Sequence, residues 1–113
     1  MSRKLFVERT YSFGVLSLLF WSVLGAVPKI ERSTLAGRNR INFIDSDIDR
    51  PLGLSIDYNE DHLYWVDDLR DTIERVDLNN PTDRWTIHVG YRHSPTAKLF
   101  GLAVYNVGYI QIY

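Results

Sequence analysis

Pro51-Leu-Gly-Leu-Ser-Ile-Asp-Tyr-Asn-Glu-Asp-His-Leu-Tyr-Trp-Val-Asp-Asp-Leu-Arg-Asp-Thr-Ile-Glu-Arg-Val-Asp-Leu78 carries three apolar, β-branched or aromatic runs separated by short polar turns. Pieces of it return on both sides. Ile73-Glu-Arg75 repeats Ile30-Glu-Arg32 at an offset of 43 residues, and Leu63-Tyr-Trp65 repeats Leu19-Phe-Trp21 at 44. Phe100-Gly-Leu-Ala-Val-Tyr105 answers Leu52-Gly-Leu-Ser-Ile-Asp-Tyr58 at an offset of 48, the excess taken up by a loop inserted over Arg92 to Lys98. Short strands recurring every 40 to 45 residues or so are the pattern of propeller blades, none of which buries its faces alone.

Working outward, Leu52 to Tyr58, His62 to Asp67, Thr72 to Leu78 and Trp85 to Val89 are expected as the four strands of one complete blade. Asn59 to Asp61, Asp67 to Asp71 and Asn79 to Asp83 supply the turns, rich in residues that tolerate left-handed backbone or fix it with proline. Leu18 to Val23, Lys29 to Leu35 and Asn39 to Ile44 fit the second, third and fourth strands of a preceding blade. Its first strand is missing from the pattern, because Phe6 to Phe13 holds no Gly-Leu-x-x-Asp and Arg9 stands where the glycine belongs. Phe100 to Tyr105 and Tyr109 to Tyr113 begin a further blade. The chain thus divides into an N-terminal segment, 1–17, and a repeat region, 18–113, with blade remnants at 18–44, a complete blade at 51–89 and the start of the next at 99–113.

The 113 residues allow one domain, and a hydrophobic fraction of 45% with 24% charged residues is that of a globular protein. Thirteen basic and fourteen acidic side chains are interspersed, leaving no charge footprint for nucleic acid. Cysteine is absent, which excludes disulfides and thiolate metal sites within this stretch. The fifteen-residue apolar run Phe13 to Val27 is too short for a membrane-spanning helix. It leaves two readings of the start: the core of a signal peptide, with Arg3 and Lys4 ahead of it, or a blade strand, which Glu8 and the repeat at Leu19-Phe-Trp21 favour.

Leu63-Tyr-Trp-Val-Asp67, preceded by Pro51-Leu-Gly-Leu-Ser-Ile-Asp57 and followed by Ile73-Glu-Arg75, resembles the LDL receptor class B (YWTD) repeat of the LDL receptor-related protein family. Phe20 to Arg32, ending Pro-Lys-Ile-Glu-Arg, and Leu35-Ala-Gly37 are similar to further runs of the same repeat. The resemblance implies an all-β fold, a partial six-bladed β-propeller of about two blades of four-stranded antiparallel sheet whose ring is not closed. It also implies a non-catalytic module on the extracellular face of the plasma membrane, part of an endocytic or Wnt-type signalling receptor and a fragment of a longer chain. Its partners would be secreted proteins of lipoprotein or Wnt-pathway type and the remaining propeller blades, with no cofactor and with membrane contact only through the parent receptor. The motif residues it points to are Trp21, Ile30, Arg32, Gly53, Asp57, Tyr64, Trp65, Asp67, Ile73, Arg75 and Gly101. Val66 stands in place of the motif's threonine, Val23 in place of its aspartate, and Ile110-Gln-Ile112 where the third aromatic pair belongs.

Tyr64 and Trp65, adjacent in a strand, are expected on opposite faces as packing groups, and Asp67 and Asp57 as carboxylates that tie down backbone amides. Gly53 and Gly101 are expected where inner strands approach closely. The recurring Glu31/Arg32 and Glu74/Arg75 are expected to face solvent. Asp45-Ser-Asp-Ile-Asp49 begins like a calcium loop but has Arg50 at the glycine position and Ile56 at that of the bidentate glutamate, so a solvated turn is expected and no metal. His62, His88 and His93 lack zinc spacing, and no serine sits in a nucleophile elbow. Trp85, Tyr91, Arg92 and His93, in or beside the inserted loop, are the candidate ligand contacts, Tyr91 and Arg92 foremost. The alternative from another class is a propeller hydrolase of the lactonase or strictosidine-synthase type, for which Asp57 and Asn59 are the available calcium ligands.

Overall fold

Period-two alternation and the placement of Asp, Asn and Gly between apolar runs produce strands joined by tight turns. The computed structural model describes residues 4–11, 14–88, 102–104 and 110–112, with side chains over 17–87. One antiparallel sheet holds β1 (Lys4–Tyr11), β2 (Gly14–Val23), β3 (Lys29–Thr34) and β4 (Ile41–Ile44) in chain order. A second holds β5 (Pro51–Asp57), β6 (His62–Asp67), β7 (Thr72–Asp77) and β8 (Asn80–His88), and β9 (Leu102–Val104) pairs with β10 (Ile110–Ile112). No helix occurs among the described residues, and hence none long and apolar enough to cross a membrane. The turns before β6 and β7 close on Asp61 and Asp71, both left-handed at φ 56° and 59°, a conformation aspartate accepts at low cost.

Several expectations on strand bounds and burial are corrected. Residues 4–11 form a strand despite lacking the glycine motif: β1 pairs with β2 without interruption from Lys4 opposite Trp21 to Tyr11 opposite Gly14. Ladder bonds are made by backbone, so the motif is not needed to form them, and β2 starts at Gly14 rather than at Leu18. The turn expected over Asn79 to Asp83 is shorter, because β8 already begins at Asn80, opposite Asp77, and carries Pro81 within it. Pro81, Thr82 and Asp83 lie between the paired positions Asn80 and Arg84, in a ladder irregularity where proline removes no ladder bond. Gly53 is exposed and takes φ 59° where the register of β5 on β6 shifts between Leu52 and Ser55, a bulge whose left-handed residue favours glycine. Lastly, Glu31 and Glu74 are buried, not solvent-facing. Gly101, Tyr91, Arg92 and His93 lie outside the described residues.

The apolar core lies between the two four-stranded sheets. Leu18, Phe20, Ile30, Phe43 and Ile44 from the first meet Leu54, Ile56, Leu63, Trp65, Val76 and Leu78 from the second, with Ile48 of the connecting segment among them. Phe20 meets Phe43 edge to face with ring centroids 5.3 Å apart. Both faces of β6 are covered, since Tyr64 and Val66 are buried on the side opposite Leu63 and Trp65. Phe20→Ala is expected to lower unfolding free energy by about 3–5 kcal/mol, read as a shift of the urea midpoint. Val27→Ala, at a side chain 73% exposed, should move it by less than about 0.5 kcal/mol.

Candidate functional site

Cross-strand register puts a glutamate beside each motif tryptophan: Trp21 opposite Glu31 and Trp65 opposite Glu74. An arginine from farther along each sheet completes the group. In the first sheet the Trp21 indole Nε1 donates to Glu31 Oε2 at 2.8 Å, and Arg40 donates to both Glu31 oxygens at 3.1 and 2.8 Å. The Arg40 guanidinium lies 5.6 Å from the Trp21 ring centroid, and Lys29 Nζ stands 3.4 Å from Glu31 Oε1. In the second sheet Arg84 Nε and Thr86 Oγ1 each donate to Glu74 Oε1 at 3.0 Å, and the Arg84 guanidinium lies 5.1 Å from the Trp65 centroid. There the indole N–H and Glu74 Oε2 have no hydrogen-bond partner among the described residues, and Thr86, opposite Glu74 on β8, shares Oε1 with Arg84. Burial forces the pairing: Glu31 is 2% exposed and Glu74 0%, and an unpaired buried carboxylate would cost several kcal/mol, of order 3–5. Arg40 and Arg84 recur at an offset of 44 residues, the same as the tryptophans. Extending the repeat alignment to the arginines is the signal that would have placed both glutamates inside.

The segment 45–50 that joins the sheets is held from both ends. Arg84 donates to Ser46 O at 2.7 Å and Asp47 O at 2.6 Å, while the Asp67 carboxylate accepts from Asp49 N at 2.7 Å and Arg50 N at 3.2 Å. Asp67 also accepts from Arg70 N at 3.1 Å and is wholly buried. Val23 occupies the repeat-equivalent position in the first sheet and supplies no such acceptor. Asp68 is buried beside Arg50 Nε at 3.3 Å, an approach of charges without hydrogen-bond alignment. Asp45, Asp47 and Asp49 are exposed, and among the described residues no three acidic, histidine or cysteine side chains are placed to hold a metal.

The remaining motif residues are spread over the two sheets. Asp57 caps the β5–β6 turn, accepting at Oδ1 from Asn59 N at 3.0 Å and Glu60 N at 3.3 Å. Ile30 and Ile73 pack in the interior. Arg75 lies 5.4 Å from the Trp85 ring centroid, and half-buried His62 meets Tyr64 edge-on at 6.3 Å. Trp85, 58% exposed with its Nε1 on Asp83 Oδ1 at 3.0 Å, is an outward-facing aromatic of the outermost strand, and Ile87 follows it on the same face.

Two four-stranded antiparallel sheets face to face, each carrying the same tryptophan, glutamate and arginine, invite comparison with known proteins. No protein-family model matches the chain. A chain of the crystal structure of a nidogen/laminin complex superposes with a TM-score of 0.67 and 26% identity over 79% of this chain and 32% of that one. The fold is part of a β-propeller. Protein cueball of Drosophila ananassae is 35% identical over 80 residues, and protein cueball of Drosophila sechellia 36% over 81, each alignment covering 68% of this chain and 12% of the relative. The chain therefore spans about an eighth of the length of the curated relatives it matches.

Desolvation pushes the Glu31 carboxyl up, but the hydrogen bonds from Arg40 and Lys29, the Arg40 charge and the Trp21 indole outweigh it and hold the group below its ordinary range. A carboxyl depressed on folding stabilises the fold above its unfolded pKa of about 4.3, and that contribution is lost as pH falls through the folded value. The stability difference between the wild type and Glu31→Gln should accordingly shrink as pH falls below about 4.3, measured by urea titration at each pH. Arg84→Ala strands the buried Glu74 and releases the connecting segment, and should cost about 3–5 kcal/mol in the same assay. Arg40→Ala should cost about 1 kcal/mol or less, its side chain being 65% exposed and Glu31 keeping Lys29 and Trp21.

Proposed function

We propose that the chain is a non-catalytic, extracellular protein-binding module, two blades of a propeller receptor of the LDL receptor-related type. The observation that carries this reading is the superposition on a chain of the nidogen/laminin complex, a protein bound to a protein, over 79% of the residues. The residues bearing the repeat's motifs are engaged in packing and in holding backbone: Trp65 and Ile73 in the interior, Asp67 on three amides, Asp57 on a turn. That leaves contact with a partner to the rim, where Trp85 is exposed on β8 and Tyr91 and Arg92 follow in sequence. Aromatic and arginine anchors dominate the energetics of such surfaces.

The partner class is a secreted protein. The chain, immobilised and exposed by surface plasmon resonance to laminin, low-density lipoprotein and a secreted Wnt-pathway inhibitor, should bind at least one of them saturably. Trp85→Ala, and Tyr91→Ala with Arg92→Ala, should each weaken that binding about tenfold or more. Binding to none of the three, together with calcium-dependent hydrolysis of a lactone, would overturn the reading in favour of the hydrolase.

A further inference from the structure

Between the two four-stranded sheets, away from the connecting segment, is a crevice of about 300 Å³ lined by Leu18, Arg32, Thr34, Asn39 and Asn79. We propose that this crevice binds a carboxylate group, with the Arg32 guanidinium as its charge partner and the Asn39 and Asn79 side-chain amides as flanking donors. This goes beyond the protein-binding reading and stands independently of it.

Arg32 is the reason. Arg40, Arg50, Arg70 and Arg84 each stand within 4 Å of a carboxylate, on Glu31, Asp68, Asp49 and Glu74. Arg32 is half-buried and pairs with no carboxylate among the described residues. Its guanidinium lies 5.2 Å from the Phe43 ring centroid and donates one long bond, 3.4 Å, from Nη1 to Leu78 O. A guanidinium carries five N–H donors, and the bond to Leu78 O is the hydrogen bond that Arg32 makes among the described residues, which leaves donors free for a guest in the crevice that it lines. Desolvation accordingly depresses the Arg32 pKa, a cost that an incoming anion offsets. The arginine at the equivalent repeat position, Arg75, likewise pairs with no carboxylate among the described residues and stacks on a ring, that of Trp85 opposite it; what sets Arg32 apart is that Ile41 stands opposite it and that it lines the crevice.

The other walls narrow the ligand. Thr34 Oγ1 is engaged with Arg38, donating to its O and accepting from its N, and so shapes the crevice rather than serving a guest. Asp77, two residues from Asn79, accepts the Asn79 backbone N–H at 2.7 Å and is bound within its own turn. A single guanidinium balances a monoanion, and its planar fork matches the two oxygens of a carboxylate. The volume sits at the bottom of the range for ligand pockets, room for a group the size of an acidic side chain or a small free carboxylate.

The test is a titration of the ¹⁵N-labelled full chain with sodium acetate, N-acetylglutamic acid amide and sodium sulfate, each at constant ionic strength set by chloride. The Asn39 and Asn79 side-chain amides and the Arg32 Nε–H should shift along one saturation curve with either carboxylate. Tighter binding of the glutamic acid derivative assigns the site to acidic side chains, and tighter binding of acetate to free carboxylates; either supports the proposal. Arg32→Gln should abolish the saturable shifts and Asn79→Ala should weaken them several-fold. Should Arg32→Gln fail to fold, Asn79→Ala decides, because its side chain is exposed in a turn. Linear shifts, shifts shared equally with Arg38 and Arg40, an unchanged curve in Asn79→Ala, or saturation by sulfate at lower concentration than by either carboxylate would each overturn it.

Discussion

A glutamate almost wholly shielded from water, held by an arginine that also covers a tryptophan face, recurs in both four-stranded sheets, and the arrangement of the chain turns on it. A buried carboxylate is tolerable only with its counter-charge in place, so each copy ties the third strand of its sheet to the approach or body of the fourth: Glu31 to Arg40, just before β4, and Glu74 to Arg84, within β8. The indole beneath adds the second strand. Three strands of each sheet are thus coupled through side chains as well as through the ladder, which suits a blade whose outermost strand has a neighbour on one side only.

The second copy does more than the first because of where its arginine reaches. Arg84 spends its remaining donors on Ser46 and Asp47 carbonyls while Asp67 takes the Asp49 and Arg50 amides. Opposite ends of one short segment are therefore held by opposite charges, with Ile48 pressed into the apolar core between them. Segments that cross from sheet to sheet carry backbone polar groups that a ladder cannot satisfy. Here two side chains from the second sheet supply that satisfaction, and they also set how the sheets approach. The crevice at Arg32 opens beside that core, with Leu18 in its wall and the long contact of Arg32 with Leu78 O reaching from one sheet to the other.

Much of this was legible beforehand. The strands of the second sheet, their order, the turns at Asp61 and Asp71 and the interior place of Trp65 follow from alternation and turn chemistry, which are local. Strand β1 was not legible, since Lys4 to Tyr11 lacks the motif and its pairing depends on a partner strand. The start of β8 at Asn80 was not legible either, because Pro81 to Asp83 keep turn chemistry and only the register on β7 shows Asn80 opposite Asp77. The burial of Glu31 and Glu74 escaped a reading by adjacent residues, in which Glu-Arg pairs look like surface charge; their true partners lie nine and ten residues on.

By itself the sequence determined that the chain is built of strands, that its unit recurs about every 44 residues, and that its aromatic pair belongs to the interior. These follow from side-chain period and backbone preference, which act between near neighbours. Only the tertiary structure decided which charges are buried, which carboxylate holds the connecting segment, and where an arginine is left facing an open crevice. Those outcomes depend on the distance between groups brought together by two sheets packing, and desolvation acts on that packed arrangement rather than on order along the chain.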